Sequence, residues 1–201
     1  RICRKIKLSS NDSVLEIGSG WGSFSIYAAK KYGCHITTTT ISNAQYNYVS
    51  QKIKDLGLTD KITLLNKDYR YLTGTYDKII SIEMIEAVGY KYIPNYLKKV
   101  SSLLNENGIF ALQGITYNDQ NFDVYKKSVD FIKKYIFPGS CLISISQITE
   151  VMKKYTDLSI SHLEDITMHY ADTLKIWRNN FMNQVSEIEK LGFSKEFINI
   201  W

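Results

Sequence analysis

The chain has 201 residues, 44% of them hydrophobic, with 25 Lys and Arg against 20 Asp and Glu, a balance that suits one well-buried domain and excludes a disordered chain. No uncharged apolar run approaches the roughly 20 residues needed to cross a bilayer, so a helical membrane-spanning protein is excluded and only peripheral membrane contact stays open. Three scattered cysteines, Cys3, Cys34 and Cys141, exclude a disulfide framework and a CxxC metal site; they fit a reducing compartment and no structural zinc is expected.

Along the chain, Val14 to Ile17 reads as a buried strand ending in a glycine-rich turn, and Ser23 to Tyr32 as a helix closed by Gly33. His35 to Thr40 is a second strand. Ser42 resembles an N-cap for a helix from Asn43 to Leu56 that stops at Gly57. Ile62 to Asn66 and Lys78 to Ile82 are further strands, Ile93 to Leu104 is an amphipathic helix, Gly108 breaks the chain, and Ile109 to Gln113 is a fifth strand. Short β-rich runs alternating with amphipathic stretches predict a parallel sheet with helices on both faces over residues 1–116. Beyond Asn118 the rhythm changes. Helices are expected over Asp123–Lys134, Ser146–Lys154 and Asp172–Leu191, with an irregular loop from Ile136 to Ser144. Residues 117–201 therefore read as a mainly helical insertion that packs on the sheet and returns to it, within one domain spanning 1–201. Opening on Arg1 and stopping inside the apolar stretch 197–201, the sequence reads as a piece of a longer protein.

The turn after the first strand, Gly18-Ser19-Gly20-Trp21-Gly22, places three glycines where side chains would block a ligand approaching the backbone, so a nucleoside cofactor is expected there. A dinucleotide fingerprint needs a glycine at position 23 and an acid about twenty residues further on. Ser23 and the run Thr37 to Thr40 stand there instead, which disfavours NAD. Charge gives a second clue. The net +5 is carried by lysines, several paired (Lys30-Lys31, Lys98-Lys99, Lys126-Lys127), which suit solvated helix faces or an anionic lipid surface, where each contributes about 1 kcal/mol. The arginines Arg1, Arg4, Arg70 and Arg178 do not cluster, and no nucleic-acid partner is expected.

The motif Glu16-x-Gly18-x-Gly20-x-Gly22 resembles the first motif of class I S-adenosylmethionine-dependent methyltransferases. Across most of its length the chain further resembles the cyclopropane-fatty-acyl-phospholipid synthases and the mycolic-acid-modifying enzymes related to them. The likeness rests on 18–22, on Thr40-Ile41-Ser42-Asn43-Ala44-Gln45, on Asp68-Tyr69-Arg70, on Ser81 to Gly89, on Phe131 to Gly139 and on His169 to Leu174. It implies a Rossmann-like α/β methyltransferase sheet with a helical substrate-binding insertion. It also implies a methylene or methyl transfer from S-adenosylmethionine to the cis double bond of an unsaturated phospholipid acyl chain. The cofactor contacts it implies are Glu16, Gly18, Ser19, Gly20, Gly22, Thr40, Ile41, Gln45, Asp68 and Tyr69, with Gln45 doing what an acidic residue does elsewhere and Asp68 and Tyr69 meeting the adenine.

Methylating an alkene leaves a carbocation that water would capture, so the site must be dry and aromatic with a base at hand. In the family that base is a bound bicarbonate ion. The resemblance assigns Glu86, Gln113, Ile115 and Tyr170 to holding it, Ile115 through its backbone, and implies a perturbed pKa for Glu86. Much of the family carries histidines where Ala87 and Gln113 stand; the sub-branch that shares this pattern includes methyl-branching as well as ring-forming enzymes. The aromatic residues of the second part, with the loop Tyr135 to Leu142, are expected to line an acyl tunnel. A cytoplasmic enzyme, peripheral at an anionic membrane surface and with a homodimer left open, is the implied setting. Two alternatives stay open: a class I methyltransferase acting on a small amine, and a degenerate cofactor- or lipid-binding protein without turnover.

Overall fold

The computed structural model describes all 201 residues. They fall into two compact units, one of Arg1–Val129 with Gly139–Leu158 and a second of Asp130–Pro138 with Ser159–Trp201. In chain order the first unit holds α1 (Ile2–Lys5), β1 (Ser13–Ile17), α2 (Ser23–Tyr32), β2 (His35–Thr40), α3 (Asn43–Asp55), β3 (Ile62–Asn66), β4 (Tyr76–Ile82), α4 (Ile93–Leu103), β5 (Leu104–Gln113), α5 (Phe122–Tyr125) and α6 (Ile145–Tyr155). The second unit carries a π-helical turn at Ile132–Ile136, α7 (Thr167–Asn183), α8 (Val185–Lys190) and α9 (Lys195–Ile200). No helix is long and apolar enough to cross a membrane.

The strands form one parallel sheet in the order β3-β2-β1-β4-β5. Alternation along each strand splits the core in two. Val14, Ile36 and Ile80 face one way and pack against Cys3 of α1, Ile26 and Ala28 of α2, and Val49 and Ile53 of α3. Leu15, Ile17 and Ile79 face the other way, against Ile93, Tyr96, Leu97 and Val100 of α4 and Val151 of α6. Helices thus cover both faces, as the alternating pattern predicts. Strand order reverses between β1 and β4, and in such sheets the crevice at the carboxyl ends of those two strands is where ligands sit.

Local signals set most boundaries. The Ser42 hydroxyl accepts the Gln45 N–H at the start of α3, and Gly33 closes α2 in a left-handed cap with φ +72°. Several expectations are corrected. Gly108 does not separate α4 from β5; it lies inside β5, where the register jumps from Tyr76↔Leu104 to Lys78↔Ile109 and residues 105–108 bulge opposite Asp77. The Asp77 carboxylate holds that bulge, accepting the Asn105 side-chain N–H at 2.7 Å while its other oxygen accepts the Ser13 N–H at 2.9 Å. The helix expected over 123–134 ends at Tyr125, and the one expected over 172–191 begins five residues earlier, at Thr167, and breaks at Gln184. No strand follows Gln113 in the sheet, so residues 117–201 add no strand to it. The division at 116/117 also moves: α6 belongs to the sheet unit because Ile148, Val151 and Met152 pack into the α4 side of the core.

Two glycines of the β1–α2 loop differ in what they tolerate. A Cβ on Gly22 (φ +82°) would lie 3.1 Å from Val49 Cγ1 and 3.2 Å from Ile26 Cδ1, whereas Gly20 (φ +50°) faces open space. Gly22→Ala is expected to destabilise by about 1–3 kcal/mol through strain and overpacking, and Gly20→Ala by only about 1 kcal/mol through backbone strain. Calorimetric unfolding of the two variants checks this; a larger loss for Gly20→Ala would contradict it.

Candidate active site

The loop that leaves β1 is clamped to its neighbour. The N–H groups of Gly18 and Ser19 both donate to the Thr39 carbonyl of β2, at 3.1 and 2.8 Å. A Cβ on Gly18 would meet the Met84 side chain at 3.0 Å, so the loops after β1 and β4 touch across the crevice. Above Gly20 the backbone is bare, which is the cradle a nucleoside cofactor needs.

Glu16 lies wholly inside the sheet, with the Thr38 hydroxyl of β2 donating to it. Burial pushes its carboxyl up to about 8, the Thr38 and Ser25 hydroxyls only partly opposing the shift. Its hydrogen bonds run to the framework, to Thr38 of β2 and Ser25 of α2. Thr40 and Gln45 do come together, the Thr40 hydroxyl donating to Gln45 Oε1 at 2.8 Å, which leaves the Gln45 amide N–H groups as donors at the carboxyl end of β2. Ile41 is exposed between them. The Asp68 carboxylate, expected to meet an adenine amine, also has a cationic neighbour of its own. Both its oxygens are taken by Arg70, at 2.7 and 3.0 Å through the guanidinium and 2.9 Å through the backbone N–H. That guanidinium holds the Asp68 carboxyl below its ordinary range. Tyr69 opens a 3₁₀ turn, and its ring stands edge-on to the buried Tyr96 ring at 5.3 Å.

At the end of β4 a short turn, Ile85–Ala87, presents Glu86. Its Oε1 accepts the Ile115 backbone N–H at 2.6 Å, whereas Oε2 is buried with no partner. Its own carbonyl accepts the Cys141 N–H at 2.9 Å, tying this turn to the segment before α6. Burial raises the Glu86 pKa, the Ile115 bond lowers it, and the charge of Glu83 adds to the rise. The Ile115 N–H, expected to serve a bound anion, is thus committed to the carboxylate. Gln113 turns elsewhere: its Nε2 donates to Glu83 Oε1 at 3.0 Å. Tyr170 lies on α7 in the second unit, its ring edge-on to Trp177 at 6.4 Å. Within that unit Phe131, Tyr135 and Ile200 line an open groove of about 580 Å³, whereas Cys141 and Leu142 pack with Phe122 and Tyr125 in the sheet unit.

Two residues of this site escape a reading of the sequence alone. A Cβ on Gly114 would fall 2.9 Å from Ile85 Cγ2 and 3.1 Å from Glu86 Oε1, so only glycine lets β5 approach the carboxylate so closely. The glycine directly after a strand and before Ile115 was the available signal. Glu83 holds a left-handed backbone, φ +52°, that nothing in its neighbours announces.

A parallel sheet with this reversal, a glycine loop after its central strand and a carboxylate after the adjacent one define a Rossmann-like α/β domain of the methyltransferase class. The family described as mycolic acid cyclopropane synthetase matches residues 1–201, and the chain belongs to that family. It is 37% identical over 188 residues to the tuberculostearic acid methyltransferase of Mycobacterium tuberculosis, covering 94% of this chain and 44% of that protein. With the cyclopropane-fatty-acyl-phospholipid synthase of Escherichia coli K12 it shares 33% over 198 residues, 98% of this chain and 48% of the other. The chain therefore spans about half the length of these curated relatives. Among solved structures, the mycolic acid cyclopropane synthase CmaA1 complexed with SAH and CTAB superposes with a TM-score of 0.87 at 23% identity, over 98% of this chain and 72% of that one.

The Glu16 carboxyl supplies a test of the buried framework. Its folded pKa, about 8, lies above the ordinary 4.5, so the folded protein keeps a proton that the unfolded chain has released. Stability should fall as pH rises between those two values. Glu16→Gln removes the titration, and the variant's thermal midpoint should gain on the wild type steadily from pH 5 to pH 8. Parallel midpoint curves for the two proteins would show that Glu16 does not carry a raised pKa.

Proposed function

We propose that the protein to which this chain belongs transfers a methyl or methylene group from S-adenosylmethionine to the cis double bond of an unsaturated phospholipid acyl chain. The observation that carries the reading is Glu86: a half-buried carboxyl just past the carboxyl end of β4, with one oxygen on Ile115 N–H and the other, buried, without a partner. The fold alone does not choose a substrate, because unrelated acceptors are served by one architecture. Identity above 30% to lipid-modifying enzymes over nearly the whole chain supports a lipid acceptor over a small amine. Binding without turnover would leave the buried, unpartnered Oε2 of Glu86 unexplained.

The cradle at Gly18, Gly20 and Gly22, with the Gln45 amide beside it and Glu16 beneath, suits the donor's amino-acid and ribose parts. Asp68 and Tyr69 are proposed as the adenine side of the same cradle, with Asp68 fixed by Arg70 so that one carboxylate edge stays in register. In the transfer, the alkene π pair forms a bond to the donor's methyl carbon as the sulfur–carbon bond breaks, and positive charge passes from sulfur to the neighbouring alkene carbon. A proton must then leave, closing a ring or leaving a branched alkene. Bicarbonate, when bound, supplies the base for that proton. Glu86 suits it: burial shifts its carboxyl toward the protonated form, which can donate to an anion, and Oε2 has no partner in the chain. Gln113 is proposed as a further donor to the same anion. The lysine surplus supports peripheral docking on an anionic membrane.

The test is mass spectrometry of monounsaturated phospholipid vesicles incubated with S-adenosylmethionine, bicarbonate and the full-length protein. A product heavier by one CH2 is expected, with Glu86→Gln slower by about 100-fold or more and bicarbonate depletion slowing the wild type. NMR of the product then separates a ring from a branch. Methylation of an added amine in place of the lipid, unaffected by Glu86→Gln, would overturn the reading.

A further inference from the structure

Glu83 follows the last residue of β4 and adopts φ +52°, a conformation that glycine takes freely and an L-residue with a side chain does not. It is not forced there by packing, since the residue is exposed. Two hydrogen bonds run between Glu83 and Gln113 in opposite senses. The Glu83 backbone N–H donates to the Gln113 carbonyl at 2.9 Å, extending the β4–β5 ladder by one step past Ile82↔Gln113. The Gln113 side-chain N–H donates to Glu83 Oε1 at 3.0 Å. The backbone bond would form equally with glycine at position 83; the second needs the carboxylate. A residue that holds a strained backbone where glycine would not be strained points to a role for its side chain.

Geometry locates that role. Gln113 is joined through Gly114 to Ile115, whose N–H grips Glu86 Oε1, and a Cβ on Gly114 would almost touch the same oxygen. Glu83 stands three residues before Glu86 on the other arm of the loop pair. Resting on the function proposed above, we infer that Glu83 is a positioning residue: its carboxylate fixes the Gln113 amide in one orientation beside the Glu86–Ile115 pair. One N–H of that amide is committed to Glu83, which leaves Oε1 and the second N–H as the groups Gln113 can offer a reactant. Without the carboxylate the amide is free to flip end for end, exchanging donor for acceptor, and rate is lost without loss of donor binding.

The experiment compares Glu83→Gly, Glu83→Ala and Glu83→Gln in the full-length protein, reading kcat, the KM for S-adenosylmethionine and the thermal midpoint. Glu83→Gly and Glu83→Ala should each lower kcat on the order of 10- to 100-fold with KM unchanged. Glu83→Gln should retain most of the rate, since its amide oxygen accepts the same bond. Only Glu83→Gly should also gain stability, by about 2–4 °C, as the left-handed strain is relieved. Higher stability with lower turnover is an outcome that a purely structural residue does not produce. Wild-type kcat in Glu83→Gly, or a Glu83→Gln as slow as Glu83→Ala, overturns the positioning role while leaving the proposed function standing. A wild type that makes no lipid product overturns both.

Discussion

A carboxyl oxygen withdrawn from water needs a hydrogen-bond partner, and in Glu86 one oxygen has a donor in the chain while the buried one has none. The Ile115 N–H satisfies Oε1, nothing in the chain satisfies Oε2, and burial raises the pKa. Much of the surrounding architecture follows from holding that group in place. The turn Ile85–Ala87 presents it, with Ile85 anchored in the α4 side of the core. Gly114 clears the space that lets β5 reach it, and the Cys141 N–H fastens its backbone to the segment leading into α6. In the proposed function, that unpartnered oxygen is the group a bound anion would complete.

How much of this is readable in the sequence depends on whether the cause is local. His35–Thr40 and Ile62–Asn66 match their expected limits because β-branched runs bounded by glycine and helix caps carry their own boundaries. Ser42 as the cap of α3 is equally local. The bulge at 105–108 is not, because the partner that makes it, Asp77, lies about thirty residues away in the chain and acts through one side-chain bond. The breaks after Tyr125 and at Gln184 likewise escape a periodicity argument. No residue of α7 is buried, so its apolar positions do not mark a packed face.

The site divides in the same way. Motif resemblance picks out Glu86 and Ile115, and the structure brings them within hydrogen-bonding distance; it also pairs Thr40 with Gln45. Which partner each polar group takes was hidden. Asp68 closes on Arg70 two residues ahead, a local pair that a motif reading passes over in favour of a ligand. Gln113 turns to Glu83, and the backbone strain that identifies Glu83 has no signature in residue type. Motifs name residues; the competition among neighbours for each donor and acceptor is settled only in three dimensions.

The strand order has a consequence in time as well as in space. Every pairing in this sheet is parallel, so none can be closed by a hairpin, and the central pair is the most distant: Ser13, at the start of β1, meets Asp77, 64 positions further along the chain. During synthesis β1 can zip to β2 early, while its other edge stays open until β4 emerges. The glycine loop hangs from β1 and Glu86 from β4, so the two halves of the site are born far apart and meet only when the sheet closes at its centre. A nascent chain arrested before that moment carries a finished glycine loop and no Glu86 to face it.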